Sequence, residues 1–195
     1  MAGFRLPGRG CEPITLWGNP VLRQTATPVT VFDRSIAKLV DQLFETMYAI
    51  ETGVGLAANQ IGRTERVFVF DCRDGAEGYV INPVLEPVGV EPQTGPEGCL
   101  SLPGYSLDTA RVLRCNVSGQ DIAGNPVHFE GEGLLSRAFQ HEVDHLDGKL
   151  YIDHHVDEVR SVIEEQMRAE PWFGQNDLDP KSARYRAAQD REAPQ

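Results

Sequence analysis

The stretch Gln140-His141-Glu142-Val143-Asp144-His145-Leu146-Asp147-Gly148 contains the pattern H-E-x-x-H. On an α-helix, residues four apart lie on the same face, so His141 and His145 can present two imidazoles to one point. A divalent metal ion requires ligands that converge in this way. Glu142 lies about 100° round the helix from His141, where a general base can flank a metal ion without binding it. The alternative is a structural helix whose histidines find other partners in the core.

The helix face that carries both histidines is apolar. Leu134 and Ala138 precede His141 and His145 with helical spacing, so the imidazoles share the apolar stripe. Polar groups that point into a core need partners, and a metal ion would supply them. This arrangement favours a metal site over a purely structural helix.

Composition excludes some classes of function. A chain of 195 residues with 41% hydrophobic and 24% charged residues is typical of one globular domain. Its net charge of −11, from 18 basic and 29 acidic residues, argues against binding nucleic acid or anionic lipid over the whole surface. We therefore predict no direct nucleic-acid binding, and no stretch is apolar enough to span a membrane.

The N-terminal sequence and the cysteines predict a cytoplasmic protein. Residues 1–20 lack the apolar run of a signal peptide. In a reducing compartment, cysteines are free thiols or metal ligands rather than disulfides. This expectation applies to Cys11, Cys72, Cys99 and Cys115.

Apolar spacing predicts two further helices and several short strands. Asp33 can cap an amphipathic helix that ends near Glu51, and residues 156–169 form a second, charged helix. The strands are expected at 67–70, at 78–85 with a break at Pro83, and in a hairpin of 112–121 and 127–132. Residues 86–96 are expected to be an extended loop. The fold class is α+β, with a central metal-binding helix among short, mostly antiparallel strands.

The chain divides into three parts by composition. Residues 1–13 are expected to be a loose leader, and residues 14–169 a single catalytic domain. Residues 170–195 are polar and contain three prolines, which predicts a flexible tail.

Two histidines alone make a weak metal site, so a third ligand has to come from elsewhere. The downstream candidates are His154, His155, Asp157 and Glu158. The upstream candidate is Cys99, whose thiolate would be a soft, anionic ligand in a loop between Gly98 and Pro103. Residues 53–62, Gly-Val-Gly-Leu-Ala-Ala-Asn-Gln-Ile-Gly, are either a tight connection or a place where backbone approaches a ligand.

Residues 53–62, 97–101 and 140–148 together resemble the bacterial peptide deformylases. That family carries the motifs G-x-G-L-A-A-x-Q, E-G-C-L-S and Q-H-E-x-D-H in this order, and all three occur here. The resemblance extends over roughly residues 14–152. It implies that Cys99, His141 and His145 bind one metal ion per chain. Fe²⁺ is the ion the family prefers, and Zn²⁺, Ni²⁺ or Co²⁺ are its substitutes.

The reaction implied by the resemblance is hydrolysis of the N-formyl group from the N-terminal formyl-methionine of nascent polypeptides, with release of formate. Glu142 would take a proton from water and give it to the leaving amine. The Leu100 backbone N–H and the Gln60 side-chain amide would stabilise the oxyanion. Such an enzyme works near the ribosome, although the acidic C-terminal segment gives no basic helix for docking on it.

The resemblance also implies a set of substrate contacts. An extended peptide could pair with the 53–55 backbone like an added strand. A pocket for the methionine side chain would be lined by apolar groups and by the stem of Arg137, whose charge would reach water or Glu97. The substrate-binding residues are Gly53, Val54, Gly55, Glu97, Gly98, Leu134, Arg137 and Ala138. Asp144 either orients a histidine or is a solvated helix charge, and Gly104 stands where many relatives carry Glu.

Two rival hypotheses remain at the level of sequence. The first is a zinc peptidase of the H-E-x-x-H type that uses a downstream histidine as its third ligand. The second is a non-catalytic metal-binding protein. Gln60 and Glu142 count against the second, because a structural site has no use for an oxyanion donor and an acid/base.

Overall fold

An antiparallel sheet and a separate hairpin surround the central helix. The structure is a computed structural model that describes residues 10–73 and 75–190. The strands are β1 (Ile14–Thr15), β2 (Gly55–Ala57), β3 (Val67–Asp71), β4 (Glu77–Pro87), β5 (Pro92–Cys99), β6 (Leu102–Val112), β7 (Arg114–Gln120), β8 (Pro126–Glu132) and β9 (Asp177–Leu178). The helices are α1 (Arg34–Tyr48), α2 (Leu134–Leu146), α3 (Asp157–Arg168) and α4 (Ala183–Gln189).

The strands form three antiparallel groups. Five of them make one sheet in the order β2-β3-β4-β7-β8. Strands β5 and β6 form a hairpin of their own, and β1 pairs with β9. The α+β fold class is confirmed, as are the helices predicted near residues 34–51 and 156–169 and the hairpin of β7 and β8.

The helix α2 is held against the five-stranded sheet by an aromatic cluster. Phe139 packs edge-on against Phe70, with ring centroids 4.9 Å apart at 84°. Phe68 and Phe129 complete the cluster. Edge-to-face packing of buried rings adds to the free energy gained by burying their area. Because Phe139 faces the sheet, the opposite side of α2 presents His141 and His145 to the hairpin.

The ends of α2 use backbone conformations that favour glycine. Gly133 precedes the helix with a φ of +58°, and Gly148 follows it with a φ of +74°. A Cβ at Gly148 would also lie 2.7 Å from the carbonyl oxygen of Arg23. The helix therefore begins and ends at fixed points, which sets the position of its histidines.

The predicted loop at residues 86–96 was wrong. Strand β4 runs on to Pro87, and β5 begins at Pro92 and pairs with β6 along its length. Proline is tolerated in β5 because this strand has a neighbour on one side only, so a nitrogen without a proton can face the open edge. The break predicted at Pro83 is instead a bulge between Ile81 and Val84 within β4.

The predicted flexible tail was also wrong as far as residue 190. Strand β9 pairs with β1 near the N-terminus, and α4 packs on the hairpin strand β6. Trp172 and Tyr185 are each 1% exposed, and Leu178 is 8% exposed. These buried side chains are few and are spread through a polar segment. The composition of the segment therefore did not reveal that it folds. Residues 1–9 of the predicted leader lie outside the described residues, and no described helix could span a membrane.

Candidate active site

One sulfur and two ring nitrogens converge where α2 meets the end of β5. The Nε2 atom of His145 lies 3.2 Å from the Cys99 Sγ and 3.2 Å from the His141 Nε2. All three ligand atoms lie within 4.8 Å of one another, and all three residues are buried. Bond lengths of about 2.0–2.3 Å to a tetrahedral ion place its ligands at about these separations. The cluster therefore fits one metal ion.

The two histidines among the downstream candidates for a third ligand have other partners. The Nε2 atom of His154 lies 2.7 Å from Asp144 Oδ2 and 3.0 Å from the Arg111 guanidinium. His155 Nε2 lies 3.1 Å from the Thr109 hydroxyl. In the part of the chain that the structure describes, Cys99 is the residue that joins the two α2 histidines.

The pKa values of the two histidines are shifted in opposite directions. The carboxylate of Glu97 accepts a hydrogen bond of 2.8 Å from His141 Nδ1, which leaves Nε2 directed at the cluster. Burial lowers the pKa of His145 well below its usual range, so its ring is neutral and able to bind a metal. Burial opposes a charge on His141, but its bonds to Cys99 and Glu97 outweigh burial and raise its pKa.

Glu97 is the centre of a buried ionic network. Arg111 donates to both of its oxygens, at 2.5 and 3.0 Å, and Arg137 Nη1 donates to Oε2 at 2.9 Å. Burial alone would raise the pKa of Glu97, but the bonds from His141 and Arg111 outweigh it and hold the pKa well below the usual carboxyl range. The expected contact between Arg137 and Glu97 is thus present, and Glu97 is ionised.

Asp144 bonds a histidine, but not one of the two histidines of the cluster. Its Oδ2 accepts from Arg111 Nη1 at 2.6 Å and from His154 Nε2 at 2.7 Å. Its side chain is 15% exposed, so it is not a solvated helix charge, and it contacts neither histidine of the cluster through these bonds. Asp144 instead holds the outer side of Arg111, and Arg111 in turn holds Glu97.

Glu142 is buried in very different surroundings. It is 3% exposed, and its Oε2 has no hydrogen-bond partner among the described residues. Burial raises the pKa of Glu142 to about 7, with His141 opposing and Glu97 adding to the shift. Its carboxylate lies directly over Gly55, where a Cβ would overlap Oε1 and lie 2.9 Å from the carboxyl carbon. The glycine-rich segment therefore makes room for this carboxylate.

Gln60 lies close to Cys99 in space, and Leu100 follows Cys99 in the chain. The Gln60 Oε1 accepts from the Ala57 N–H at 2.9 Å, which is a bond to its own loop. Its Nε2 is directed at the cluster, 3.5 Å from the Cys99 Sγ and 3.4 Å from the Ser101 hydroxyl. Fixing one end of the amide in this way leaves the other end as a donor of known direction.

These groups line one cleft of about 500 Å³. All the residues that the sequence suggested for substrate binding lie on its walls. They are Gly53, Val54, Gly55, Glu97, Gly98, Leu134, Arg137 and Ala138. Cys99, His141, Glu142, Gln60 and Leu100 line the same cleft, while His145 stands behind it at 1% exposure. Leu134 is 51% exposed and lies at the mouth rather than inside.

Sequence reasoning missed several residues of the site. Tyr105 and Gln189 line the cleft, and Arg111 binds Glu97 from the neighbouring strand. The alternate positions of Tyr105, Thr109 and Arg111 on one face of β6 are visible in the sequence, but their burial and the contact of Arg111 with Glu97 are not. Gln189 carried no such signal, since it belongs to the segment that looked like a tail.

The fold and the site define a class of protein. A buried sulfur and two imidazoles beside a carboxylate that has one oxygen without a partner in the described residues are typical of hydrolases that use a metal ion. A model of the family "Polypeptide deformylase" matches residues 11–161. The chain therefore belongs to the polypeptide deformylase family of hydrolases.

Relatives and solved structures agree with this assignment. Peptide deformylase 1 of Corynebacterium efficiens is 48% identical over 163 residues, which is 82% of this chain and 96% of that protein. The crystal structure of peptide deformylase from Thermus thermophilus is similar with a TM-score of 0.74 and 42% identity, covering 81% of this chain and 93% of that one. A peptide deformylase structure from Legionella pneumophila has a TM-score of 0.75 at 34% identity, covering 81% and 94%.

Proposed function

We propose that this chain is a metal-dependent peptide deformylase that hydrolyses the N-formyl group from the N-terminal formyl-methionine of nascent polypeptides. The observation that carries the proposal is the single cleft in which the cluster of Cys99, His141 and His145 meets the buried Glu142, whose Oε2 has no hydrogen-bond partner among the described residues. The names of the relatives support the choice of substrate.

The cluster would hold one metal ion through Cys99 Sγ, His141 Nε2 and His145 Nε2. One thiolate and two neutral imidazoles leave a divalent ion with a net charge of +1, and three protein ligands leave a position open. A divalent ion there supplies Lewis acidity, which lowers the pKa of water and polarises the formyl oxygen. The family resemblance favours Fe²⁺, with Zn²⁺, Ni²⁺ or Co²⁺ as substitutes.

Glu142 would move the proton. In the hydrolysis, a water oxygen bonds to the formyl carbon, the carbon–nitrogen bond breaks, and formate and a free amine leave. Glu142 Oε2 has no hydrogen-bond partner among the described residues, so it is free to take the proton from water and pass it to the nitrogen. A carboxylate whose pKa lies near the working pH suits both halves of this transfer.

Gln60 and Leu100 would stabilise the negative charge that develops on the formyl oxygen. Both line the cleft beside Cys99, and the Gln60 Nε2 is already directed at the cluster. Fixed donors of this kind lower the barrier because they need no reorganisation during the reaction.

The substrate would enter as an extended chain along the backbone of Gly53, Val54 and Gly55. Its methionine side chain would contact Leu134, Ala138 and the stem of Arg137. Arg137 is 7% exposed and its guanidinium is bound to Glu97, so only its aliphatic stem is offered to a ligand.

We place the reaction in the cytoplasm near the ribosome, where nascent chains emerge. None of the four cysteines is paired in a disulfide, and this supports the choice of a reducing compartment. The net charge of −11 favours peptide substrates over nucleic acid as direct ligands.

The test is formate release from a formyl-methionine tripeptide by protein purified without oxygen and loaded with Fe²⁺. The acetylated and unformylated tripeptides are run beside it. We expect turnover with the formyl peptide only. Absence of formate from metal-replete protein would refute the proposal, and cleavage of internal peptide bonds would favour the zinc peptidase instead.

Replacing two buried cysteines separates this proposal from the peptidase. Cys99→Ser should abolish metal retention and turnover, because it removes the soft ligand of the cluster. Cys115→Ser is the matched control, since Cys115 is also buried but bonds Ser136 away from the cluster. Metal content per chain, measured by elemental analysis, should fall for Cys99→Ser and stay unchanged for Cys115→Ser. A normal metal content in Cys99→Ser would point to a downstream ligand.

A further inference from the structure

The C-terminal helix α4 contacts the backbone beside Cys99 through a single buried hydroxyl. Tyr185 is 1% exposed, and its hydroxyl donates a hydrogen bond of 2.8 Å to the carbonyl oxygen of Leu100. The same hydroxyl accepts from the Nε2 of Gln189 at 3.0 Å. Burial raises the pKa of Tyr185, so its hydroxyl keeps its proton and remains a donor.

The peptide group between Leu100 and Ser101 is held at both of its polar ends. Its carbonyl accepts from Tyr185, and its N–H, which belongs to Ser101, donates to Cys99 Sγ at 3.4 Å. A peptide group is planar, so fixing the direction of its carbonyl also fixes the direction of its N–H. Tyr185 therefore constrains the hydrogen bond from the Ser101 N–H to the Cys99 sulfur, although Tyr185 does not belong to the cluster.

A purely structural role for the Tyr185 hydroxyl is a weaker explanation. The helix α4 has other anchors, because Ser182 Oγ caps it through the Tyr185 N–H and Ala188 is 5% exposed. Strand β9 also ties the segment to β1. The aromatic ring alone would fill the same space, so the hydroxyl is not needed for packing. What it adds is one bond to the loop that carries Cys99 and Leu100.

We propose that Tyr185 is a positioning residue, which holds the Leu100–Ser101 peptide so that the Ser101 N–H faces the Cys99 thiolate and the backbone of Leu100, whose own N–H belongs to the adjacent Cys99–Leu100 peptide, stays in place. The inference rests on the proposed function, in which the Leu100 N–H stabilises the oxyanion. It gives the C-terminal segment a part in turnover as well as in folding.

The experiment compares Tyr185→Phe with Tyr48→Phe. Both remove one phenolic hydroxyl and keep the ring, and the Tyr48 hydroxyl bonds Asp71 at 2.7 Å, outside the lining of the cleft. The measurements are kcat and KM with the formyl-methionine tripeptide, metal content, and hydrogen exchange of the Ser101 N–H in metal-free protein. Both variants should lower the melting temperature by about 3 °C, the shift for one lost hydrogen bond in a domain of this size.

For Tyr185→Phe we expect kcat to fall about tenfold with KM within about twofold of the wild type, because a misdirected donor weakens mainly transition-state binding. Exchange at Ser101 should become at least about fivefold faster, as expected when an amide loses its protecting contact. Tyr48→Phe should change neither quantity. Equal kcat values in Tyr185→Phe and wild type, or unchanged exchange at Ser101, would overturn the inference.

The two proposals fail in different ways. A wild-type protein that releases no formate contradicts the proposed function, while the exchange measurement in metal-free protein still decides whether Tyr185 holds the Ser101 N–H. If Tyr185→Phe does not fold, Gln189→Met replaces it and removes the donor to the Tyr185 hydroxyl. Because Gln189 also lines the cleft, KM is measured beside kcat to detect a direct effect on substrate binding. That variant should show faster Ser101 exchange and a kcat lowered about threefold, a smaller effect because the bond to Leu100 remains. Unchanged exchange and kcat in Gln189→Met would overturn the inference.

Discussion

Two buried carboxylates near the cluster differ in almost every contact they make. Glu97, on the hairpin, has both oxygens bonded to cationic or N–H donors from Arg111, Arg137 and His141. Glu142, on α2, has one oxygen without a hydrogen-bond partner in the described residues. Glu97 is 4% exposed and Glu142 is 3% exposed, so burial does not explain the difference.

The difference assigns separate roles to two chemically identical groups. The paired cations keep the pKa of Glu97 below the usual carboxyl range, so it stays charged and orients His141. For Glu142, burial outweighs the opposing effects of His141 and the Ala57 backbone and raises the pKa to about 7. When surroundings push the pKa values of two carboxyl groups apart, one group becomes structural and the other can exchange protons.

The largest effect is expected for Glu142→Gln. Glutamine keeps the shape of the side chain but cannot take a proton from water, so kcat should fall by about a thousandfold. Metal content should be unchanged, because Glu142 is not a ligand of the cluster. Thermal unfolding should show equal or greater stability, since an unpaired buried carboxyl is removed. Near-normal formate release by this variant would show that Glu142 is not the acid/base.

Glu97→Gln should act on stability instead. It leaves Arg111 and Arg137 without their shared anion in a buried site, which costs about 3 kcal/mol of unfolding free energy. The control is Glu91→Gln, because Glu91 pairs with Arg114 at the surface, where such pairs contribute about 0–1 kcal/mol. Urea unfolding at pH 7 gives both values. Equal losses for the two variants would contradict the distinction between buried and exposed pairs.

The stability lost in Glu97→Gln should also depend on pH. Because the pKa of Glu97 is lowered in the folded state, its contribution is fully present above its usual value of 4.5 and is lost as the pH falls toward the lowered pKa. The stability difference between wild type and Glu97→Gln should therefore be constant from pH 7 to 5 and shrink below about 4.5. A difference that grows in acid would have the wrong sign for this explanation.

The sequence predicted the helix side of this comparison better than the hairpin side. His141, Glu142 and His145 lie on one helix, so a period of 3.6 residues was enough to bring them together. Cys99 was only one of several candidate ligands until the resemblance was considered, because local spacing says nothing about which distant loop meets a helix. Arg111 was missed for the same reason: its partner, Glu97, lies 14 residues away across a hairpin.

The C-terminal segment was the least predictable part. Its fold depends on a few side chains, such as Trp172 and Tyr185, that become buried only against surfaces made by the rest of the chain. Polar composition and prolines predict disorder when the segment is considered alone. The contact between Tyr185 and Leu100 joins residues 85 apart, which no local pattern encodes.

The smallest of these effects is expected for Gly55→Ala. This variant tests whether the space left by the missing side chain of Gly55 sets the position of the Glu142 carboxylate. The new Cβ would overlap Glu142 Oε1 and lie 2.9 Å from its carboxyl carbon, so the carboxylate has to move by several tenths of an ångström or more. A displaced base should lower kcat by about thirtyfold, less than removal of the base, because the proton acceptor is still present. The control is Gly95→Ala, where a Cβ would meet only the Arg137 Nη2 at 3.6 Å, an ordinary contact distance. If Gly55→Ala and Gly95→Ala have the same kcat with the formyl-methionine tripeptide, the position of the Glu142 carboxylate is not set by the glycine beneath it.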